Sequence, residues 1–253
     1  MATSPTTAVV LAAGMGTRLR SVVSDRPKGF VEIGGESLIG RSIRLLQDRG
    51  VGRIVIVSGH MGEAYDKLAQ ETVGVETVEN AAFATTGSMA SLACALERVD
   101  EDFILLESDL FYEERALDAL LEAEERNVLL ASGPTGATDE VWIEAPGGFL
   151  SAMSKDAEDL GEVFGELVGI VRVSRPLARA MADAYAAFVE KNGHGRMAYE
   201  TDALVEAAVE HPVALCLVPD LLWGEGDYES HYLRVRDEGF PRWREAQGAP
   251  QSP

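Results

Sequence analysis

At 253 residues, with 46% hydrophobic and 25% charged side chains, the chain has the size and composition of one folded domain, or of one domain with an insertion; a disordered chain and a small disulfide-stapled scaffold are excluded. Its 22 Lys and Arg against 42 Asp and Glu give a net charge of −20, which argues against a general nucleic-acid binder or a protein of anionic membrane surfaces. No run approaches the ~18 consecutive apolar residues of a membrane span, the N-terminus lacks the basic segment of a signal peptide, and Cys94 and Cys216 form no CxxC pattern, so a reducing, cytoplasmic setting is expected.

Residues 7–13 form a nearly continuous apolar run that reads as a strand buried on both faces. A helix is expected over 37–50, with Ser37 as its N-cap and Gly50 as its stop. Strands at 53–58, 75–79, 103–107 and 127–132 then alternate with helices at 63–72, 88–99 and 113–125. That alternation predicts right-handed βαβ units and an α/β fold, a three-layer α/β/α sandwich around a mostly parallel mixed sheet. From about 138 the pattern changes. Segments 141–144 and 149–154, separated by Ala-Pro-Gly-Gly, predict a β-hairpin extension; a strand at 164–173, helices at 176–190 and 200–210, a strand at 213–218 and a last helix at 228–238 follow. We expect one domain over 1–239, an acceptor-side extension at about 138–200, and a frayed tail over 240–253. In such a sheet the ligand crevice lies at the carboxyl ends of the strands, so the turns after Ala13, Ser58, Glu79 and Glu107 are where chemistry is sought.

The first of these turns is Leu11-Ala-Ala-Gly14-Met-Gly16-Thr-Arg18. Glycines let backbone N–H groups approach phosphate oxygens, although a glycine pair after a strand is equally a tight turn. Leu19 occupies the third glycine position of a dinucleotide fingerprint, and the chain has no Gly-Lys dipeptide for a P-loop. Residues 1–60 carry eight basic side chains against four acidic ones, a local +4 within a chain of −20. Either this is a random excursion or it marks a site for a small polyanion.

The segment LAAGMGTRLRS followed by RPKGFVEIGGESLI closely resembles the signature of the nucleotidyltransferases that attach NMP to sugar phosphates and to small phosphorylated alcohols or phosphonates. The resemblance spans 8–40, 79–92, 103–115, 150–170 and 223–235, and implies a Rossmann-like nucleotidyltransferase fold. It implies that Leu11, Ala13, Gly14, Met15 and Gly16 wrap the nucleotide, and that Arg18 and Lys28 contact its phosphates. Cations suit that place, because transfer to a phosphate or phosphonate oxygen adds charge to an anionic centre.

Asp109, just past the 103–107 strand, is suited to Mg²⁺, which prefers hard oxygen ligands. Trp223-Gly-Glu225-Gly-Asp227 is similar to the family's late W-x-E-x-D pattern, which makes Asp227 the second Mg²⁺ ligand; Asp227 would equally serve as N-cap of the last helix. Asn80 to Leu92 is similar to the N-P-x-Y-x-x-T-N-N-x-x-S-L stretch of the small-alcohol and phosphonate cytidylyltransferases, which implies that Asn80, Thr85, Thr86 and Ser91 read the base of CTP. Here Gly87 and Ser88 replace the Asn pair and Ala81 replaces the Pro.

Lys155, closing the hairpin, resembles the family's late lysine near the transferred phosphate, and Gly165-Glu166 to Ile170 resembles the segment flanking its acceptor site. Tyr112, Glu140, Trp142, Glu166, Tyr199 and Glu200 would suit a cationic acceptor, through aromatic faces and carboxylates. The four histidines show no metal spacing. The expected partners are CTP and a small phosphorylated or phosphonate acceptor of the 2-aminoethylphosphonate or phosphocholine type. A homodimer is an option, and neither nucleic acid nor membrane insertion is expected. A sugar-1-phosphate nucleotidyltransferase using UTP or dTTP, or a non-catalytic nucleotide-binding module, is the alternative.

Overall fold

A computed structural model describes residues 4–16, 25–226 and 229–246. In chain order the first half contains β1 (Thr7–Ala12), β2 (Glu32–Ile33), β3 (Glu36–Ser37), α1 (Leu38–Gln47), β4 (Arg53–Ser58), α2 (Gly62–Glu71), β5 (Val75–Glu79), α3 (Ser88–Leu96), β6 (Phe103–Glu107), β7 (Leu110–Tyr112) and α4 (Arg115–Glu122). The second half contains β8 (Val128–Ser132), β9 (Trp142–Glu144), β10 (Ala152–Ser154), β11 (Val163–Val173), α5 (Arg175–Asn192), α6 (Glu200–Ala208), β12 (Ala214–Val218), β13 (Trp223–Glu225), α7 (Glu229–Arg234) and α8 (Phe240–Ala246).

The nucleus is a parallel run, β6-β1-β4-β5; β6, β1 and β4 are apolar on both faces because helices cover both, whereas the edge strand β5 is only half-buried. Alternate residues of β1 divide between the layers: Val9 and Leu11 pack towards α3, α5 and α6, while Ala8 and Val10 pack towards α1, α2 and α4. This is the expected three-layer sandwich. Among the described residues no helix is long and apolar enough to cross a membrane.

The mixed part of the sheet comes from β11, which runs antiparallel to β6, β8 and β9. Residues 170–173 pair with β6, whereas Val163, Gly165 and Glu166 pair with β9 along the same edge. The β9–β10 hairpin therefore continues the sheet past the carboxyl end of β6, above the crevice where ligands are expected. The hairpin is shorter than predicted, because Pro146–Gly148 takes one helical turn and pairing resumes only at Ala152.

Two expectations are corrected. The segment from Phe240 is α8 rather than a frayed tail as far as Ala246. Phe240 and Trp243 pack with Val31, Ile33, Leu38, Phe111 and Val235, and the buried Arg41 guanidinium lies 4.5 Å from the Trp243 ring and 5.0 Å from the Phe111 ring. Tyr112 is wholly buried rather than ligand-facing: β7 pairs with β13, and the ring enters the core beneath α1 and α4.

Candidate active site

Parallel register brings the turns after β1 and β6 together, since Leu11 pairs with Glu107 and the Ser108 amide donates to the Leu11 carbonyl at 3.0 Å. Lys28 arrives on the short turn Lys28–Phe30, and Gly29 is what lets that turn come so close. A Cβ on Gly29 would sit 2.9 Å from the Tyr65 hydroxyl and 3.0 Å from the Ser108 carbonyl. The close approach puts Lys28 Nζ 3.4 Å from Oδ2 of the buried Asp109. Burial pushes the Tyr65 phenol up to about 12, so its protonated hydroxyl donates to Ser108 Oγ at 3.4 Å beneath the pair.

Two cavities open on this edge. The smaller, about 170 Å³, is lined by Leu11, Ala13, Gly14, Lys28, Thr86, Ser88, Ser91 and Asp109 among others. The larger, about 550 Å³, takes in Met15, Gly16, Lys28, Lys155, Glu166 and Tyr199, and lies under the hairpin. They meet at Gly14, Lys28, Ser88 and Glu107. Lys28 and Asp109 thus point into one pocket. Arg18 and Asp227 lie outside the described residues. The Gly226 amide donates to the Asp109 carbonyl at 2.9 Å, which brings the segment ending at 226 against Asp109.

The residues expected to read the base divide. Thr86 and Ser91 line the smaller cavity. Asn80 is buried behind them: its Nδ2 donates to Thr86 Oγ1 at 3.2 Å and to Ser91 Oγ at 3.0 Å, and its Oδ1 accepts from the Ala82 amide. It positions the two hydroxyls instead of facing the cavity. Thr85 is exposed, its hydroxyl donating to the Ala82 carbonyl at 3.2 Å. Trp142 is half-buried on β9, and its neighbour Val141 lines the larger cavity.

The basic excess of residues 1–60 is largely structural. Arg44 pairs with Glu36, Arg49 with Asp118, and Arg53 with Glu76 and Glu101. Among the described residues of that segment, Lys28 is the base that lines the cavities.

The larger cavity is acidic. Glu107, Asp139, Glu140, Glu166, Glu200, Asp202 and Glu225 line it against Lys28, Lys155 and Arg234, and Lys155 Nζ lies 5.8 Å from the Tyr199 ring. Ser88 joins the cavities: its hydroxyl donates to Glu200 Oε2 and accepts from the Glu200 amide at 3.0 Å. Ser88 was missed because a serine opening a helix reads as a cap. Burial pushes the Glu200 carboxyl above its usual range, against the lowering effect of the Ser88 bond. A carboxyl raised in the fold costs nothing below its unfolded value, and penalises the folded state as pH rises from there through the folded value. The stability of the parent relative to Glu200→Gln should therefore fall between about pH 4 and about pH 7. Urea unfolding at both pH values checks this; a constant difference would show that the fold does not disfavour the charged form.

Residues 8–203 match the MobA-like NTP transferase domain. The chain belongs to the MobA-like NTP transferase family. Within this nucleotidyltransferase family it is 38% identical over 133 residues to CMP-5'-(3-aminopropyl)phosphonate synthase of Streptomyces rubellomurinus, covering 51% of this chain but only 21% of that protein. It is 26% identical over 199 residues to the 2-aminoethylphosphonate cytidylyltransferase of Lancefieldella rimae, covering 77% of this chain and 78% of that one. The fold is that of the inositol-1-phosphate CTP transferase from T. maritima, with a TM-score of 0.77 at 21% identity over 99% of this chain and 100% of the other.

Proposed function

We propose that this NTP transferase moves CMP from CTP to the phosphonate or phosphate oxygen of a small acceptor bearing an ammonium group, of the 2-aminoethylphosphonate or phosphocholine type, and releases pyrophosphate. The observation that carries this reading is that two cavities, one hydroxyl-lined and one rich in carboxylates, meet at Lys28. The phosphonate oxygen attacks the α-phosphorus in line; the new P–O bond forms as the bond to the β-phosphate oxygen breaks. That nucleophile is already ionised at neutral pH, so no general base is required. Lys28 offsets charge on the transferring phosphoryl oxygens, a role the resemblance also gives to Arg18 and Lys155.

The residues fit Mg²⁺. Among the described residues no group of three or more His, Cys, Asp or Glu is placed to hold a metal. Mg²⁺ in such enzymes is held by one or two carboxylates plus substrate phosphates, and the buried Asp109 beside Lys28 supplies one such hard oxygen donor. Asp109 would hold the ion together with Asp227, and the ion would supply positive charge at the α-phosphate. Two relatives whose names carry aminoalkylphosphonates support the acceptor class.

The test is a pyrophosphate-release screen of the four NTPs against aminoalkylphosphonates, phosphocholine and sugar 1-phosphates with Mg²⁺. CTP with an ammonium-bearing acceptor should be the fastest pair. Faster turnover of UTP with a sugar phosphate, or CTP binding without release on any acceptor, would overturn the reading.

A further inference from the structure

The wall of the larger cavity between β8 and β9 contains a backbone conformation that its residue disfavours. Thr138 has φ 74°, in the left-handed region, where a β-branched residue is an outlier that persists only when its surroundings enforce it. The enforcement is visible. His231, buried on α7, has Nε2 3.0 Å from the Ala137 carbonyl and 3.3 Å from Asp139 Oδ1, one contact on each side of Thr138. Both atoms are acceptors, so Nε2 carries the hydrogen.

The entrance to the same turn is fixed from other elements. Thr135 donates from its amide and its hydroxyl to the buried Glu166 carboxyl on β11 at 2.6 and 2.8 Å, and Arg234 Nη1 donates to the Thr135 carbonyl at 3.4 Å. Beyond the turn come Asp139 and Glu140, both lining the cavity. Strained backbone held by a buried side chain is what positions groups at binding sites.

We infer that His231 is a positioning residue for the acceptor: it holds the 137–139 turn in its left-handed form and so sets where Asp139 and Glu140 meet the acceptor's ammonium group. The assignment rests on the proposed reaction, but the clamp itself can be measured without turnover. In His231→Ala, amide hydrogen exchange of residues 135–140 should accelerate, and the KM for 2-aminoethylphosphonate should rise by about tenfold or more while that for CTP moves by less than about twofold. His231→Gln, which keeps an N–H near Nε2, should restore most of the loss. Adding Thr138→Gly to His231→Ala should recover part of it, because glycine takes the left-handed conformation without penalty. If His231→Ala does not fold, Thr135→Val loosens the same turn from its other end and should act in the same direction. Unchanged exchange at 135–140 in the loosened variant, or an equal rise in both KM values, overturns the inference. A parent protein that turns over no ammonium-bearing acceptor overturns the proposed function instead, and leaves the exchange result to decide whether the clamp exists.

Discussion

Lys28→Met is expected to lower the rate of CMP transfer by about 10²–10³-fold, the usual loss when one preorganised charge or donor is removed from a developing oxyanion. Methionine keeps the length of the side chain and its packing against Gly16, where a Cβ would come within 3.1 Å of Lys28 Cγ. It removes the ammonium group 3.4 Å from Asp109, whose side chain is 7% exposed. Two effects must be separated, because removing one partner of a buried ion pair also destabilises the fold. Single-turnover rates at saturating CTP isolate the chemistry, and urea unfolding isolates the stability. The double variant Lys28→Met with Asp109→Asn should regain stability without regaining rate. A Lys28→Met enzyme within about threefold of the parent at saturation would remove this amine from the reaction altogether.

Gly87→Asn should damage both sites at once. Gly87 caps α3 with φ −98°, so handedness is no obstacle; space is. A Cβ there would fall 1.8 Å from the Met197 carbonyl oxygen and 2.7 Å from that of Ala198. Neither is the end of a flexible side chain, so the 197–199 backbone must withdraw. That withdrawal carries Tyr199 out of the wall of the larger cavity and pulls Glu200 from Ser88, one of the residues shared by both cavities. Overpacking of this kind costs about 1–3 kcal/mol or more, and KM should rise for nucleotide and acceptor together. Urea unfolding and a two-substrate kinetic matrix read the two consequences. A variant of parental stability with both KM values unmoved would mean that the crossing segment yields freely. The same contact explains why Gly87 stands where the resembling cytidylyltransferase pattern has an asparagine.

Much of this architecture was legible from local pattern. The strands at 53–58 and 103–107 lie where their apolar runs predict, because a strand buried on both faces has a strong and simple signature. Three prolines and weak periodicity mislead at the C-terminus. The prolines after 240 point to fraying, whereas Phe240 and Trp243 anchor a helix on Arg41 and Phe111 through contacts between residues some 130 to 200 positions apart in sequence. Tyr112 failed for a related reason: nothing local announces that Leu110–Tyr112 pairs with Trp223–Glu225 and turns its ring inward.

At the site, residues of the glycine loop and the residue just past β6 line one cavity, since parallel register delivers strand ends to one edge. Which residues act at one remove is not legible from local pattern. Asn80 carries the resembling motif but holds Thr86 and Ser91, and the arginines of α1 and β4 gave a basic excess that serves ion pairs rather than a ligand. His231 had no motif because its partners, Ala137 and Asp139, lie about ninety residues earlier.

The eleven residues of β11 run from Val163 at the hairpin to Val173 beside Phe103; β8 pairs with the strand on both sides of its register shift at Leu167–Val171, where Gly169 is left-handed, and its two ends pair with β9 and with the strand that leads to Asp109, so that it acts as one splinted beam. Such a beam leaves no hinge on which two lobes could swing. Whatever closure accompanies catalysis must come from the loops that rim the crevice, and small-angle scattering of the protein with and without substrates should show an unchanged radius.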